Sequence, residues 1–161
     1  MVQHQIREYY NLHYQQNLKL MFEKSFELRM AAWRKFRESL ETSNDPFKDV
    51  IFFYKSAPYV SMHTDPWDQK TWPAPWQLLD ENRYCEFAIV LGMCYSLQLT
   101  DKFKPSNFEI HISTNNKTSE SYYLLCIDNL VIGYNTDAVV YRDDLPDALY
   151  SQRIYCMPRL H

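Results

Sequence analysis

The sequence predicts a single α+β domain that carries a long helix at its N-terminus. Three observations support this class. A stretch from Gln5 to Glu41 contains no proline or glycine, a nearly all-apolar segment follows Cys85, and the last third alternates apolar with polar residues. Helices that precede an antiparallel meander define the α+β class. The length of 161 residues suits one such domain with some extra chain.

The first predicted element is one long helix over Gln5–Glu41. Its apolar residues recur three and four positions apart, so they share one stripe of the helix surface. The candidate interaction residues on this stripe are Leu18, Phe22, Phe26, Trp33 and Phe36. Thr42–Pro46 ends the helix, because these residues favour turns and proline cannot continue it. We therefore predict a helical arm at residues 1–44 and an α+β domain at residues 45–161.

This predicted helix is too long to lie wholly on its own domain. A straight helix over Gln5–Glu41 would be ~54 Å long at ~1.5 Å per residue. The remaining domain should be only about 26–30 Å across. The helix therefore either bends, with a break expected near Asn11–Tyr14, or projects and packs on another chain. We favour the projection, which predicts contacts with other protein subunits in an oligomer or larger assembly.

The middle of the chain is predicted to be helical. Val50–Tyr54 is an apolar helix or strand, and a short helix opens at Thr71–Trp76, where a proline in the first turn loses no hydrogen bond. A central helix then runs from Cys85 to Leu99. Between Phe87 and Leu97 only Ser96 is plainly polar. A helix that is apolar all round is buried on most sides.

The last third is predicted to form an antiparallel sheet of three to five strands. Phe108, Ile110 and Ile112 alternate with polar residues, which is the period of a strand. Asp128 and Asn129 both tolerate positive φ, so they favour a tight hairpin turn. The predicted strands lie at residues 108–113, 121–128, 130–134 and 152–157.

The composition argues against several kinds of site. Two glycines are too few for a glycine-rich phosphate loop. A net charge of −3 without clustered cations argues against nucleic acid as a partner. The four cysteines form no Cys-x-x-Cys pair, so we expect no structural metal, and we expect no other cofactor. Signal-peptide and membrane-span patterns are absent, which favours a virion or the cytoplasm as the location.

Two segments before the central helix resemble the transglutaminase-like superfamily of papain-like cysteine enzymes. They are the run Trp67 to Leu79, which contains Trp72-Pro73-Ala74-Pro75-Trp76-Gln77-Leu78-Leu79, and the run Tyr84-Cys85-Glu86-Phe87-Ala88. In that family a Pro-x-Glu-Leu-Leu type helix precedes a Gly-Asp-Cys-Glu type turn, and the cysteine caps the central helix. The resemblance covers roughly residues 50–137. Small proteins of this form that lack the catalytic histidine resemble short proteins of tailed bacteriophages.

The resemblance implies a cysteine centre that has lost its base. In the family, a thiolate at a helix N-terminus is paired with a histidine that opens the second strand and an acid on the third. When the family pattern is carried onto this chain, Cys85 takes the nucleophile position and Ser121 or Tyr122 takes the histidine position. Asp137 takes the acid position, with Asp128 less favoured. Serine and tyrosine are not bases at neutral pH. We therefore predict a pseudoenzyme in which Cys85, Tyr122 and Asp137 are vestiges.

Two further departures from the family pattern support this prediction. Asn82-Arg83-Tyr84 stands where the family has a glycine before the cysteine. Glu86 follows Cys85 directly and brings a negative charge to a position where a thiolate needs positive charge.

The sequence leaves three functional hypotheses. We favour a non-catalytic structural and interaction protein, with the neck, tail or baseplate of a tailed-phage virion as its setting, and thirteen tyrosines suit a protein that contacts neighbours. The second hypothesis is a thiol peptidase or amidase in which Cys85 uses His111 as its base and Asp137 or Glu109 as its acid. The third is a small cytoplasmic binding or inhibitory protein.

Overall fold

Helices precede one antiparallel sheet in the fold, which confirms the predicted α+β class. The computed structural model describes residues 2–160, apart from the side chains of residues 10, 11 and 13–20. The helices are α1 Val2–Glu23, α2 Phe26–Leu40, α3 Pro46–Tyr54, α4 Pro75–Glu81 and α5 Glu86–Gln98, with 3-10 turns at Gln69–Thr71 and Arg142–Asp144. The strands are β1 Phe108–Asn115, β2 Ser121–Ile127, β3 Leu130–Ile132, β4 Val140–Tyr141 and β5 Leu149–Cys156.

The N-terminal stretch forms two helices rather than one. α1 and α2 are separated at Lys24–Ser25, so the helix does break, but not near Asn11–Tyr14 as predicted. Ser25 takes extended backbone angles (φ −58°, ψ 161°), which interrupt the helical path. Arg29 stabilises the corner, because its Nε donates a hydrogen bond of 3.1 Å to the carbonyl of Leu79 in α4. The direction of α2 is therefore set by a contact between distant parts of the chain.

Three residues predicted to contact other subunits are buried in the core of this chain. Phe22, Trp33 and Phe36 are almost fully buried, and they belong to the same hydrophobic core as residues of α3 and α5. Phe26 is half-buried against that core, and Leu18 lies outside the described side chains. The interaction prediction is therefore wrong for Phe22, Trp33 and Phe36, because buried side chains are not available to a second chain. The core also continues across residue 44, the predicted domain boundary.

α5 runs through the centre of the core. Every residue of Leu91–Gln98 is buried, as the lack of polar residues predicted. The hydroxyl of Ser96 satisfies its hydrogen bonds inside the core: it accepts one from Trp33 Nε1 at 2.9 Å, lies 3.0 Å from the Tyr54 hydroxyl, and donates to the Gly92 carbonyl at 2.8 Å. Ser96 therefore links α5 to α2 and α3.

The sheet has the strand order β4-β3-β2-β1-β5, and all neighbouring strands are antiparallel. Side chains alternate between its two faces. Ile110 and Leu125 lie on the face that packs against α5, which we call the helix face. Leu124, Cys126 and Val131 form a separate small cluster on the opposite side, which we call the outer face. A residue's position in its strand therefore decides whether it can approach Cys85.

β5 returns to pair with the free edge of β1 and contains a β-bulge. Ser151 pairs with Ser113 and Arg153 pairs with the neighbouring Ile112, so Gln152 is the extra residue. Ile154 then pairs with His111. In an uninterrupted strand, residues three positions apart point to opposite faces. Because of the bulge, Ser151 and Ile154 both lie on the outer face.

Candidate functional site

Cys85 stands at the N-terminus of the central helix, as predicted. It occupies the cap position with extended backbone angles (φ −80°, ψ 174°), and its carbonyl accepts a hydrogen bond of 3.0 Å from the Ile89 amide. Its side chain is only 5% exposed. A helix N-terminus favours negative charge, which suits a thiolate, but Glu86 already places a carboxylate in the first turn.

A small cavity of about 80 Å³ lies against Cys85. Its walls come from residues 61–66, the first turn of α5 and the start of β2. The described residues that line it are Ser61, Met62, Thr64, Pro66, Cys85, Glu86, Phe87 and Tyr123. None of these is a histidine, and the volume is far below the ~300–1,000 Å³ of ordinary ligand pockets. Among the described residues, the cavity therefore offers the thiol no imidazole base, and it is smaller than an ordinary ligand pocket.

Tyr122 does not face Cys85. Its ring packs against the cluster on the outer face, where it lies 5.3 Å from the ring of Tyr134, and its hydroxyl donates a hydrogen bond to Glu120. The neighbouring Ser121 is exposed. Tyr122 is therefore not among the described residues that line the Cys85 cavity, although the prediction placed it beside Cys85.

Tyr123 is the residue of β2 that lines the Cys85 cavity. Its ring lies 5.4 Å from the ring of Phe87 at a near-perpendicular angle. Burial raises the pKa of its hydroxyl, and the neighbouring Glu86, Cys85 and Asp65 raise it further. A phenol with a raised pKa stays protonated at neutral pH and does not act as a base. Sequence reasoning missed Tyr123 because either of two adjacent tyrosines could have faced the helix.

Asp137 is paired with a lysine rather than with the cysteine site. Its exposed carboxylate forms an ion pair with Lys55, and this hydrogen bond and charge lower the pKa of Asp137. Asp137 is not among the described residues that line the Cys85 cavity. The structure therefore does not bring Cys85, Tyr122 and Asp137 together.

His111 lies on the opposite side of the sheet from Cys85. It pairs with Leu124 of the outer face, and both residues line a separate cavity of about 360 Å³. Its Nδ1 atom is 2.7 Å from Ser151 Oγ, and its Nε2 atom is 3.6 Å from Glu109 Oε1. The hypothesis that His111 is the base of Cys85 is therefore wrong, because the sheet separates the two side chains.

A larger groove of about 370 Å³ adjoins the cysteine site and shares Glu86 and Tyr123 with it. The groove runs between α3, α5 and residues 132–136, with Ile89 and Met93 among its apolar residues and Lys55 among its polar ones. This volume lies in the lower part of the range for small-molecule pockets. The groove is therefore larger than the cavity at the thiol and is of a size that suits a small molecule.

The loop before the central helix satisfies its polar groups locally. His63 Nε2 lies 2.8 Å from Glu81 Oε2, and Asp65 Oδ1 accepts a hydrogen bond of 2.9 Å from the Trp67 amide. Among the described residues, no group of three or more His, Cys, Asp or Glu side chains is placed to hold a metal ion. His63 is therefore paired with α4, and Asp65 forms a turn hydrogen bond within the loop.

No protein-family model matches the sequence, and no curated protein matches it. The fold and the site define an α+β protein with a buried cysteine at the start of its central helix and no imidazole among the described residues that line that cysteine's cavity. Among residues 2–160, no helix has the length and apolar character that crossing a membrane requires.

Proposed function

We propose that this chain is a structural and interaction protein with a degenerate transglutaminase-like fold, non-catalytic at Cys85, which binds other protein subunits through α1. The observation that carries the proposal is the exposure of α1. All side chains of residues 2–9, and that of Leu12, are exposed, whereas Met21 and Phe22 are buried. The helix has 22 residues, so it is ~33 Å long at ~1.5 Å per residue.

The exposed part of α1 carries an apolar stripe. Val2, Ile6, Tyr9 and Leu12 are 70%, 49%, 64% and 60% exposed, at spacings of four, three and three residues. Residues at these spacings share one face of a helix, which is the arrangement by which a helix docks onto a partner helix or groove. The proposed binding surface is therefore the N-terminal half of α1 and not the buried stripe of α2.

Two features support the non-catalytic part of the proposal. The thiol of Cys85 is buried in a cavity whose described lining contains no histidine, and His111 lies on the other side of the sheet. The thiol peptidase or amidase hypothesis thereby loses the base that it named.

We propose a tailed-phage virion as the setting, with the neck, tail or baseplate as the location. The resemblance of the segment from Trp67 to Ala88 to degenerate transglutaminase-like proteins supports this setting, as does an exposed helix suited to repeated contacts between subunits. A cytoplasmic binding or inhibitory protein could use the same helix while free of any particle. Mass spectrometry of purified particles separates the two settings: the chain in stoichiometric amount supports the virion, and its absence from particles overturns it.

The binding surface is tested by charge substitutions on the full chain. Ile6→Asp and Leu12→Asp place a carboxylate on the apolar stripe, and each should abolish assembly or subunit capture because burial of an unpaired charge is costly. Leu28→Asp is the matched control, since Leu28 is an exposed leucine of α2. Light scattering coupled to size exclusion, with the particle subunits added, measures the complex. Equal binding by Ile6→Asp and the unaltered chain would refute the proposed surface.

A further inference from the structure

The outer face of the sheet carries a row of polar side chains that the proposed function does not use. Ser151 of β5 is 2.7 Å from His111 of β1, measured from Oγ to Nδ1, and His111 Nε2 is 3.6 Å from Glu109 Oε1. Hydroxyl, imidazole and carboxylate thus follow one another across two paired strands. This order of groups is the one that activates a serine as a nucleophile.

The row runs from the surface into the protein. Ser151 is an exposed residue, the side chain of His111 is 12% exposed, and that of Glu109 is 27% exposed. His111 Nε2 is buried and has no hydrogen-bond partner within the usual distance. In the tautomer that carries its hydrogen on Nε2, Nδ1 can accept the proton of Ser151, and Glu109 is the acid beside Nε2. The gap of 3.6 Å is the kind of loose contact that tightens when a substrate binds.

The carboxylate behind the imidazole is held in place. Arg142 Nη2 donates a hydrogen bond of 2.9 Å to Glu109 Oε1. Burial lowers the pKa of His111, Glu109 raises it and Arg142 lowers it, with a net lowering, so the imidazole is neutral near pH 7. The other titratable groups at this cavity are Cys126, whose thiol pKa is raised by burial, and Asp147. A neutral imidazole is the form that can take a proton from the serine.

A cavity of about 360 Å³ opens beside the row, lined by Ser151, Ser113 and His111 and by the apolar residues Leu145 and Leu149. This volume suits a small molecule. Ser113 is fully buried, and its hydroxyl lies 3.2 Å from Ser151 Oγ, so it can donate a hydrogen bond to an oxygen that gains charge there. The apolar walls favour a short apolar acyl group.

The bulge of β5 is what places the serine in this row. Ser151 pairs with Ser113 only because Gln152 is looped out of the pairing with β1. Without the extra residue, Ser151 would point to the helix face, away from His111.

We propose that Ser151, His111 and Glu109 form an acyl-transfer site for small uncharged esters with short apolar acyl groups. Ser151 Oγ attacks the ester carbonyl carbon while its proton passes to His111 Nδ1, and the Ser113 hydroxyl donates to the oxyanion. The bond between the carbonyl carbon and the alcohol oxygen then breaks, and His111 returns the proton to the departing alcohol. His111 Nδ1 then takes a proton from water, and the hydroxide attacks the carbonyl carbon of the acyl-serine. The bond from that carbon to Ser151 Oγ breaks as His111 returns the proton to Oγ, which releases the acid and restores the serine.

This site goes beyond the proposed function and is independent of it. It uses neither α1 nor Cys85, and the sheet separates it from the cysteine. Loss of the serine should therefore leave subunit binding intact, and loss of the arm should leave ester chemistry intact.

The test is covalent labelling of the full chain with a fluorophosphonate probe, followed by peptide mass spectrometry, together with p-nitrophenyl butyrate hydrolysis. We expect the label on Ser151, and we expect Ser151→Ala to remove both labelling and hydrolysis. Ser121→Ala is the matched control, because Ser121 is an exposed strand serine outside the row. Labelling at other residues only, or hydrolysis unchanged in Ser151→Ala, overturns the proposal.

His111→Gln separates catalysis from folding, because glutamine can still form a hydrogen bond with Ser151. We expect labelling to fall at least about a hundredfold, with an unchanged melting temperature. In the unaltered chain the labelling rate should rise with pH through an imidazole pKa below the ordinary value of ~6.5. A folded His111→Gln variant that labels at the original rate, or a rate that does not follow an imidazole titration, overturns the proposal.

Discussion

Replacement of Ser96 by alanine should destabilise the protein far more than its small change in volume suggests. The Ser96 hydroxyl is the hydrogen-bond partner of two buried groups, the indole N–H of Trp33 and the hydroxyl of Tyr54. The hydroxyl also donates a hydrogen bond to the Gly92 carbonyl, in addition to the backbone hydrogen bonds of α5. An unsatisfied buried polar group costs ~1–3 kcal/mol. With two such groups, Ser96→Ala should lower the free energy of unfolding by ~2–6 kcal/mol.

Urea denaturation followed by tryptophan fluorescence and circular dichroism measures this loss. For a chain of this size, about 3 kcal/mol corresponds to a fall in melting temperature of ~6–12 °C. Ser39→Ala is the control, because Ser39 is an exposed helix serine whose hydroxyl donates a hydrogen bond to the carbonyl of Phe36 in its own helix. That control should cost less than about 0.5 kcal/mol.

A double-mutant cycle identifies the cause of the loss. Tyr54→Phe alone leaves Ser96 bonded to Trp33 and should cost about 1 kcal/mol or less. In the Ser96→Ala background the same change removes a group that is already unpaired, so the double variant should be more stable than the sum of the single losses predicts, by about 1 kcal/mol or more. Additive losses, or a cost of Ser96→Ala below about 1 kcal/mol, would refute the reasoning.

Three other predictions rest on single contacts. Gly133 has φ +108°, and a Cβ there would lie 2.5 Å from a backbone oxygen of β2, so Gly133→Ala should cost about 2 kcal/mol or more in urea denaturation; an unchanged midpoint contradicts this. Iodoacetamide should alkylate the exposed Cys156 at least about tenfold faster than the buried Cys85 by mass spectrometry, and similar rates would show that the Cys85 thiol is accessible. Lys55→Met should raise the pKa of Asp137 in an NMR titration, because the ammonium group lowers it. The stabilisation from this ion pair is present above the unfolded-state pKa of ~3.9. It is lost as the pH falls through the lower pKa that Asp137 has in the folded protein. A pKa of Asp137 that Lys55→Met leaves unchanged would contradict the pairing.

The elements that the sequence predicted well are those with a strong local pattern. The central helix was predicted because Ser96 is the only plainly polar residue between Phe87 and Leu97, and the strands from the alternation around Ile110. The break at Lys24–Ser25 has no such signal, because no proline or glycine marks it. It depends on tertiary contacts, among them the hydrogen bond from Arg29 to α4.

The sites were harder to predict because they depend on register. Tyr122 and Tyr123 are adjacent tyrosines, and a shift of one residue exchanges the two faces of a strand. No local pattern shows which of them faces Cys85. The contact between His111 and Ser151 joins residues forty positions apart, and it requires both the return of β5 to β1 and the bulge at Gln152. Composition and spacing carry no signal of either.

The position of β5 bears on how copies of this protein behave when they are crowded together. β5 is the edge strand of the sheet, eight residues long, with Ile154 about half exposed. A long, flat edge would template pairing with the edges of other copies and lead to aggregation. The bulge at Gln152 twists this edge, Arg153 places a charge on it, and the opposite edge, β4, has only two residues. The sheet edges therefore resist pairing between copies, so the proposed contacts through α1 would not lead neighbouring sheets to fuse into fibrils.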